Sequence, residues 1–440
     1  MKAELMMTQS CGSFAMFVIV VATALGGRLQ AQNSVTAAPQ WSADSDLVDQ
    51  LSTKRPEFNY DESKVPNYRL PNPLVLHSGN PVIDAATWNS TRRPELLELF
   101  RKHVYGRRPE TEYSIAFDVE SESTVLDGAA VGRTMKATVS IGPSSFQFPF
   151  VVFLPTESDD PAPAFVFINN RTFPAVAEVT ENYDSFYPVK DLIQRGYATA
   201  SFFTSDVDPD RADGYADGIR VFFADGQPPT DDAWRSLSAW GFAASRVLDY
   251  LERIPQVDSS HVTVVGHSRG GKASLWAAAE DRRFSVAVSN QSGCGGAALS
   301  RRGYGETVGR ITEVFPHWFC PRFATYAADV NGLPVDQHEL ISLIAPRGVY
   351  VTSADEDLWA DPRGEYLSLV HAAPVFRLLG KTSIGNDFID DPDLLQYASP
   401  PPLDQPQIVG QTGYHIGGGP HGLTHVDWRR IIDFVDGLPK

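Results

Sequence analysis

Two hydrophobic rhythms run along the chain. From Ala164 onward, short apolar runs ("AFVFIN", "YATASFF", "VTVVG", "FSVAVSN", "GVYVTSA") alternate with segments of helical spacing. Among the latter, "AWRSLSAWGFAASRVLDYLERI" predicts a long helix and "WRRIIDFVDGL" a last one. Unbroken apolar strands separated by helices predict an α/β three-layer sandwich, with a mostly parallel central sheet and helices on both faces. Upstream, "RPELLELFRKHVYG" places Leu96, Leu97, Phe100 and Val104 at amphipathic spacing, and "GRTMKATVSIG" with "FQFPFVVFLP" predicts a strand pair ending at Pro155. Residues 32–80 are polar and proline-rich and predict an extended arm lying over the domain. "SPPPLDQPQ" at 399–407 predicts a surface loop, and neither internal repeats nor an interdomain linker interrupt the pattern. Residues 32–440 therefore read as a single α/β domain with an N-terminal extension to about residue 90.

The first residues break this picture. Lys2 precedes an apolar run from Phe14 to Leu25, and Ala31 is suited to precede a cleavage site. The run is too short for a comfortable membrane span, so residues 1–31 are expected to be a signal peptide and the protein secreted or periplasmic. Cleavage would remove Cys11 and leave Cys294 and Cys320, which this pattern fits equally as a disulfide or as two buried thiols. Apolar residues make up 42% of the chain and charged residues 21%, which excludes compositional disorder. The formal charge of −17 argues against nucleic acid and anionic lipid as partners, and a monomer is expected.

The chemistry concentrates at "VVGHSRGGKASLWAAAE", residues 264–280. Gly266-His267-Ser268-Arg269-Gly270 fits G-x-S-x-G between a strand and a helix, the context that makes this common pattern meaningful. Such a turn exposes the serine above the sheet, at a helix N-terminus that favours negative charge. Ser268 is the expected nucleophile. A hydroxyl needs a base and the base an orienting acid, and in this arrangement they follow in the order Ser, acid, His. His421, after "GGGP", is on a loop able to reach the serine, whereas His415 and His425 read as structural. His421 and His425 lack the glutamate of H-E-x-x-H, so no zinc site is read here. The acidic loop "DVDPDRADG" likewise misses the EF-hand spacing for calcium. The loop after "GVYVTSA" offers Asp355, Glu356 and Asp357, among which the spacing does not choose.

Several segments together resemble the glucuronoyl esterases, carbohydrate esterase family 15, especially bacterial members. They are "GHSRGGKA", "NQSGCGGAAL", "RGYGETV", "FPHWFCPRF", "SADEDLWADPRGE" and "YHIGGGPHGLTHVDW", with "INNRTFP" and "DVDPDRADGYADGI" upstream. The resemblance implies an α/β-hydrolase fold without metal or organic cofactor. It implies hydrolysis of the ester between (4-O-methyl-)glucuronic acid of glucuronoxylan and lignin alcohols. It assigns Ser268 as nucleophile, His421 as base and Arg269 as an oxyanion partner, with Lys272, Glu306 and Trp359 on the sugar. Fungal members carry a cysteine at His267, so their disulfide to the histidine loop cannot form, and His267 is expected to be structural. Many members have the triad glutamate where this chain has Gln291, which is grouped here with the substrate-binding residues. The family's alternative acid lies two residues before the loop tryptophan, which selects Asp357, with Glu356 and Asp355 behind it. An acetyl-xylan or other carbohydrate esterase is the alternative on the same triad. Gln291 invites a third reading, a non-catalytic carbohydrate-binding relative.

Overall fold

The computed structural model describes residues 41–439 apart from 158, 159, 174, 214, 215 and 225, so the expected signal peptide lies outside the described residues. Ten strands form one sheet. They are β1 (Ser114–Val125), β2 (Ala130–Ile141), β3 (Ser144–Pro155), β4 (Ala162–Asn169) and β5 (Ala198–Phe203). β6 (Val257–His267), β7 (Val286–Asn290), β8 (Gly348–Ala354), β9 (Gln407–Val409) and β10 (Thr412–Gly417) complete it. Their spatial order is β1-β2-β3-β5-β4-β6-β7-β8-β10-β9. From β5 to β10 every neighbouring pair is parallel, while β1, β2, β3 and β9 are antiparallel to their neighbours.

The unbroken apolar runs are explained by burial on both faces. Along β4, Ala164, Val166 and Ile168 enter one core while Phe165 and Phe167 enter the other. β8 divides in the same way, with Val349 and Val351 on one side and Tyr350 on the other. Alternate side chains of a strand point to opposite faces, so a strand between two helical layers needs apolar residues at every position. Each fully buried side chain of this kind contributes roughly 1.5–3 kcal/mol. The helices Ser236–Leu251 and Arg269–Glu280 cover one face and pack against each other with Gly241 facing Ala273 and Ala277. Trp428 and Ile431 of the helix His425–Asp436 fill the other.

The expected pairing of β2 with β3 is present over their full length. β1 adds an edge strand that escaped the sequence reading: most of its side chains are exposed, and its alternation is confined to Ile115, Phe117 and Val119. In the predicted amphipathic helix, now Arg93–Phe100 continued by a wider turn to Tyr105, the buried stripe is Leu96, Phe100 and Val104, with Leu97 only half-buried. The arm is not wholly extended. Asp44 caps a helix, Ser45–Lys54, by accepting from the N–H groups of Asp46 and Leu47. Leu47, Val48 and Leu51 pack against Tyr60, Tyr304, Leu358 and Trp359. Glu62 fastens the arm by accepting from Arg302 at 2.6 Å and Arg363 at 3.1 Å. No described helix is long and apolar enough to cross a membrane.

Candidate active site

β6 delivers Ser268 at the sheet's carboxyl edge. The serine sits between the strand and the helix Arg269–Glu280 with φ 56° and ψ −121°, a conformation that costs a non-glycine residue on the order of 1–3 kcal/mol. Both motif glycines are sterically required. A Cβ on Gly266 would lie 2.1 Å from the Gly270 carbonyl oxygen, and one on Gly270 would lie 2.6 Å from that of Ile168. The backbone N–H of Ser268 donates to the Asn290 carbonyl at 2.8 Å, which ties the turn to the end of β7.

Two adjacent parallel strands supply the rest of the triad geometry. β8 and β10 pair in register to their last residues, Ala354 opposite Gly417. Their loops then stitch together: Asp355 N–H donates to the Gly417 carbonyl at 3.0 Å, and Asp355 Oδ1 accepts from Gly419 N–H at 2.7 Å. Glu356 N–H donates to the Gly419 carbonyl at 3.2 Å. The stitching brings Asp357 Oδ2 within 2.6 Å of His421 Nδ1. Asp357 can only accept when ionised, so Nδ1 carries the proton and Nε2 is left with its lone pair. The carboxylate is buried, while the imidazole is 43% exposed at the cavity. Of the three loop acids, Asp357 meets the histidine and Asp355 holds its loop.

Gln291, first after β7, has φ 46° and spends its amide on a backbone pair. Nε2 donates to the Gly422 carbonyl and Oε1 accepts from the Gly422 N–H, both at 2.7 Å. It braces the histidine loop at Gly422, three residues on from the Asp355 contact at Gly419. His267 packs its ring 4.5 Å from that of His421 and bonds Asn290 Oδ1 through Nδ1 at 2.5 Å. Burial, reinforced by the neighbouring His421, pushes its pKa down to about 3, so it stays neutral. His415 is likewise internal, held between Tyr350 and Asp427 at 2.9 Å each. His425 opens the last helix.

A cavity of about 400 Å³ joins Ser268, His421, Asp357, Arg269, Lys272, Glu306, Trp359 and Gln291, so the fold gathers every expected site residue. Lys272 is buried, donates to the Ser292 carbonyl and to that of Cys294 at 2.6 Å, and lies 3.7 Å from Glu306. Burial raises the Glu306 carboxyl above its ordinary value, against the pull of Lys272 and a hydrogen bond from Trp359. Three groups escaped the sequence reading. Asp210, from the loop compared with a calcium site, accepts from Arg269. Trp318 and Phe315 stack at 3.7 Å and lie under the Arg269 guanidinium. Leu51, Arg55 and Tyr60 of the arm form one wall, with Arg55 4.8 Å above the Trp359 ring. "FPHWFCPRF" marked the aromatic pair, but nothing in the arm's composition marks it as part of a site. Cys294 and Cys320 are free, separately buried thiols.

A serine on a strained strand–helix turn, with an acid-paired histidine from later strand ends of a parallel sheet, defines an α/β-hydrolase. The family model described as glucuronyl esterase, fungi, matches residues 137–380, more than half of the chain. The chain belongs to the glucuronyl esterase family. Carbohydrate esterase MZ0003, from an unknown prokaryotic organism, is 36% identical over 431 residues, covering 91% of this chain and 96% of that protein. The structure of the glucuronoyl esterase from Solibacter usitatus superposes with a TM-score of 0.76 at 36% identity, over 85% of this chain and 99% of that one. The 4-O-methyl-glucuronoyl methylesterase of Podospora anserina is 28% identical over 71% of this chain and 60% of its own.

Proposed function

We propose that this protein is an exported serine esterase that hydrolyses the ester joining (4-O-methyl-)glucuronic acid of glucuronoxylan to lignin alcohols. The observation that carries the reading is one cavity shared by Ser268, the Asp357–His421 pair and the Arg269 and Lys272–Glu306 groups. The relatives named as 4-O-methyl-glucuronoyl methylesterases support the substrate class.

Ser268 Oγ attacks the uronate carbonyl carbon and His421 Nε2 takes its proton, while Asp357 holds the imidazole tautomer and offsets the imidazolium. The oxygen that becomes negative is met by the Arg269 guanidinium and by N–H groups at the start of the helix. The tetrahedral adduct collapses, and the leaving alcohol takes the proton from His421. Water, deprotonated by the same histidine, then attacks the glucuronoyl–Ser268 ester and releases the uronic acid. Trp359 offers an apolar face to the sugar ring, and the Lys272–Glu306 pair supplies donor and acceptor to its hydroxyls. With Asp357 in the acid's role, Gln291 no longer argues for a non-catalytic relative.

Kinetics with benzyl glucuronate, compared with an acetylated xylose substrate, test the reading. Wild type is expected to prefer the glucuronate ester, and Ser268→Ala to lose its turnover. A strong preference for acetate would overturn the uronate assignment.

A further inference from the structure

The acidic loop before the helix Ile219–Ala224 is built around two aspartates with different tasks. Asp208 is internal and anchors the loop. Its carboxylate accepts from Arg220 Nε at 2.8 Å and from Ser236 Oγ at 2.5 Å, and its carbonyl accepts from Trp240 Nε1 at 3.0 Å. Two residues on, Asp210 bonds Arg269 and Trp318, both of which line the catalytic cavity. Oδ1 accepts from His317 Nε2 at 2.8 Å and from Trp318 Nε1 at 2.7 Å, and Oδ2 accepts from Arg269 Nη1. Burial alone would raise this carboxyl, but the His317, Arg269 and Trp318 interactions outweigh it and hold its pKa down to about 2. Asp210 is therefore held as an anion at neutral pH.

The guanidinium it grips is confined from a second direction. Arg269 lies 4.8 Å above the Trp318 ring and 5.6 Å from that of Phe315. A planar cation stacked on an aromatic face retains freedom to rotate in its own plane; a carboxylate on one edge removes it. Asp210 takes the Nη1 edge and Nε is buried without a hydrogen-bond partner, while the side chain as a whole lines the same cavity as Ser268.

We propose that Asp210 is a positioning residue for the oxyanion, fixing the Arg269 guanidinium on the Trp318 platform before substrate arrives. This rests on the reading of Arg269 as an oxyanion partner. A donor already in place when charge develops needs no reorganisation during the reaction, and its loss is felt in kcat more than in KM. A purely structural ion pair would instead be coupled to Arg269 in Tm, with kcat unchanged.

The test is a double-mutant cycle on the full chain with benzyl glucuronate, using Asp210→Asn, Arg269→Gln and the combination, with the Tm of each. Arg269→Gln comes first: unchanged kcat would overturn the Arg269 role, a failure separate from that of Asp210. Given a loss there, Asp210→Asn is expected to lower kcat by about 10- to 100-fold with KM nearly unchanged. In the Arg269→Gln background it is expected to cost less than about twofold, because non-additivity marks groups that act as a unit. Full kcat in Asp210→Asn, or losses that simply multiply, would overturn the proposal. Should Asp210→Asn fail to fold, Trp318→Phe removes one donor to Asp210 while keeping the aromatic platform. It is expected to lower kcat in wild type and not in Arg269→Gln, and wild-type kcat would overturn the proposal.

Discussion

Asp357 Oδ2 and His421 Nδ1 meet at 2.6 Å, with the carboxylate buried and the imidazole open to the cavity. Asp357→Asn keeps the shape but brings an amide that can donate to Nδ1, forcing the proton onto Nε2 where it blocks the base. We expect kcat to fall by on the order of 10³–10⁴-fold with the fold intact, measured on benzyl glucuronate with circular dichroism as control. Retained kcat would exclude this acid. Ser268 was legible because its strand, glycines and helix are contiguous in sequence. Spacing alone left the three loop acids as a group and only the family resemblance singled out Asp357; the physical choice is made by the stitching of Asp355 to Gly419. Asp210 was not legible: an acidic loop reads as a solvated surface, and its partner Arg269 stands 59 positions away.

At the scale of elements, the site depends on turns at four neighbouring strand ends, those of β6, β7, β8 and β10, and Gln291 ties the loop after β7 to the one after β10. Its amide both donates to and accepts from the Gly422 backbone, a pairing that ionised glutamate cannot make. Gln291→Glu is expected to place like-signed oxygens together at Gly422, costing about 1–3 kcal/mol and displacing His421. Its kcat relative to wild type at the same pH should be reduced and should recover as acidification protonates the new carboxyl. A ratio independent of pH would exclude this mechanism. The parallel strands were legible as apolar runs because both faces are covered, whereas β1, exposed along most of its length, carries only the short alternation of Ile115, Phe117 and Val119.

For the whole molecule, two buried titratable groups oppose each other across the pH range. His338 donates from Nε2 to the Pro71 carbonyl at 2.9 Å and leaves Nδ1 buried without a partner; burial pushes its pKa down to about 4. The unfolded chain, with histidine near 6.5, binds that proton first, so the contribution of neutral His338 is lost as pH falls from about 6.5 to 4. Glu365 accepts from Ser353 Oγ, Ser292 N–H and Gly293 N–H beneath the site, and burial raises its carboxyl to about 8. Its folded form holds the proton longer than the unfolded one, so its contribution is lost as pH rises from about 4.5 to 8. In scanning calorimetry, the Tm gap between wild type and His338→Gln should therefore shrink towards pH 4. The gap to Glu365→Gln should shrink towards pH 8, and gaps that stay constant with pH would contradict both assignments.

The arm adds a kinetic consequence. One wall of the cavity comes from Leu51, Arg55 and Tyr60, and the Glu62–Arg302 pair that fastens it spans 240 positions. Contacts of such separation form late, after local helices and neighbouring strands. Turnover then reports the last assembly event: during refolding, helical signal should return first, and esterase activity only when Leu51, Arg55 and Tyr60 have docked as the cavity wall.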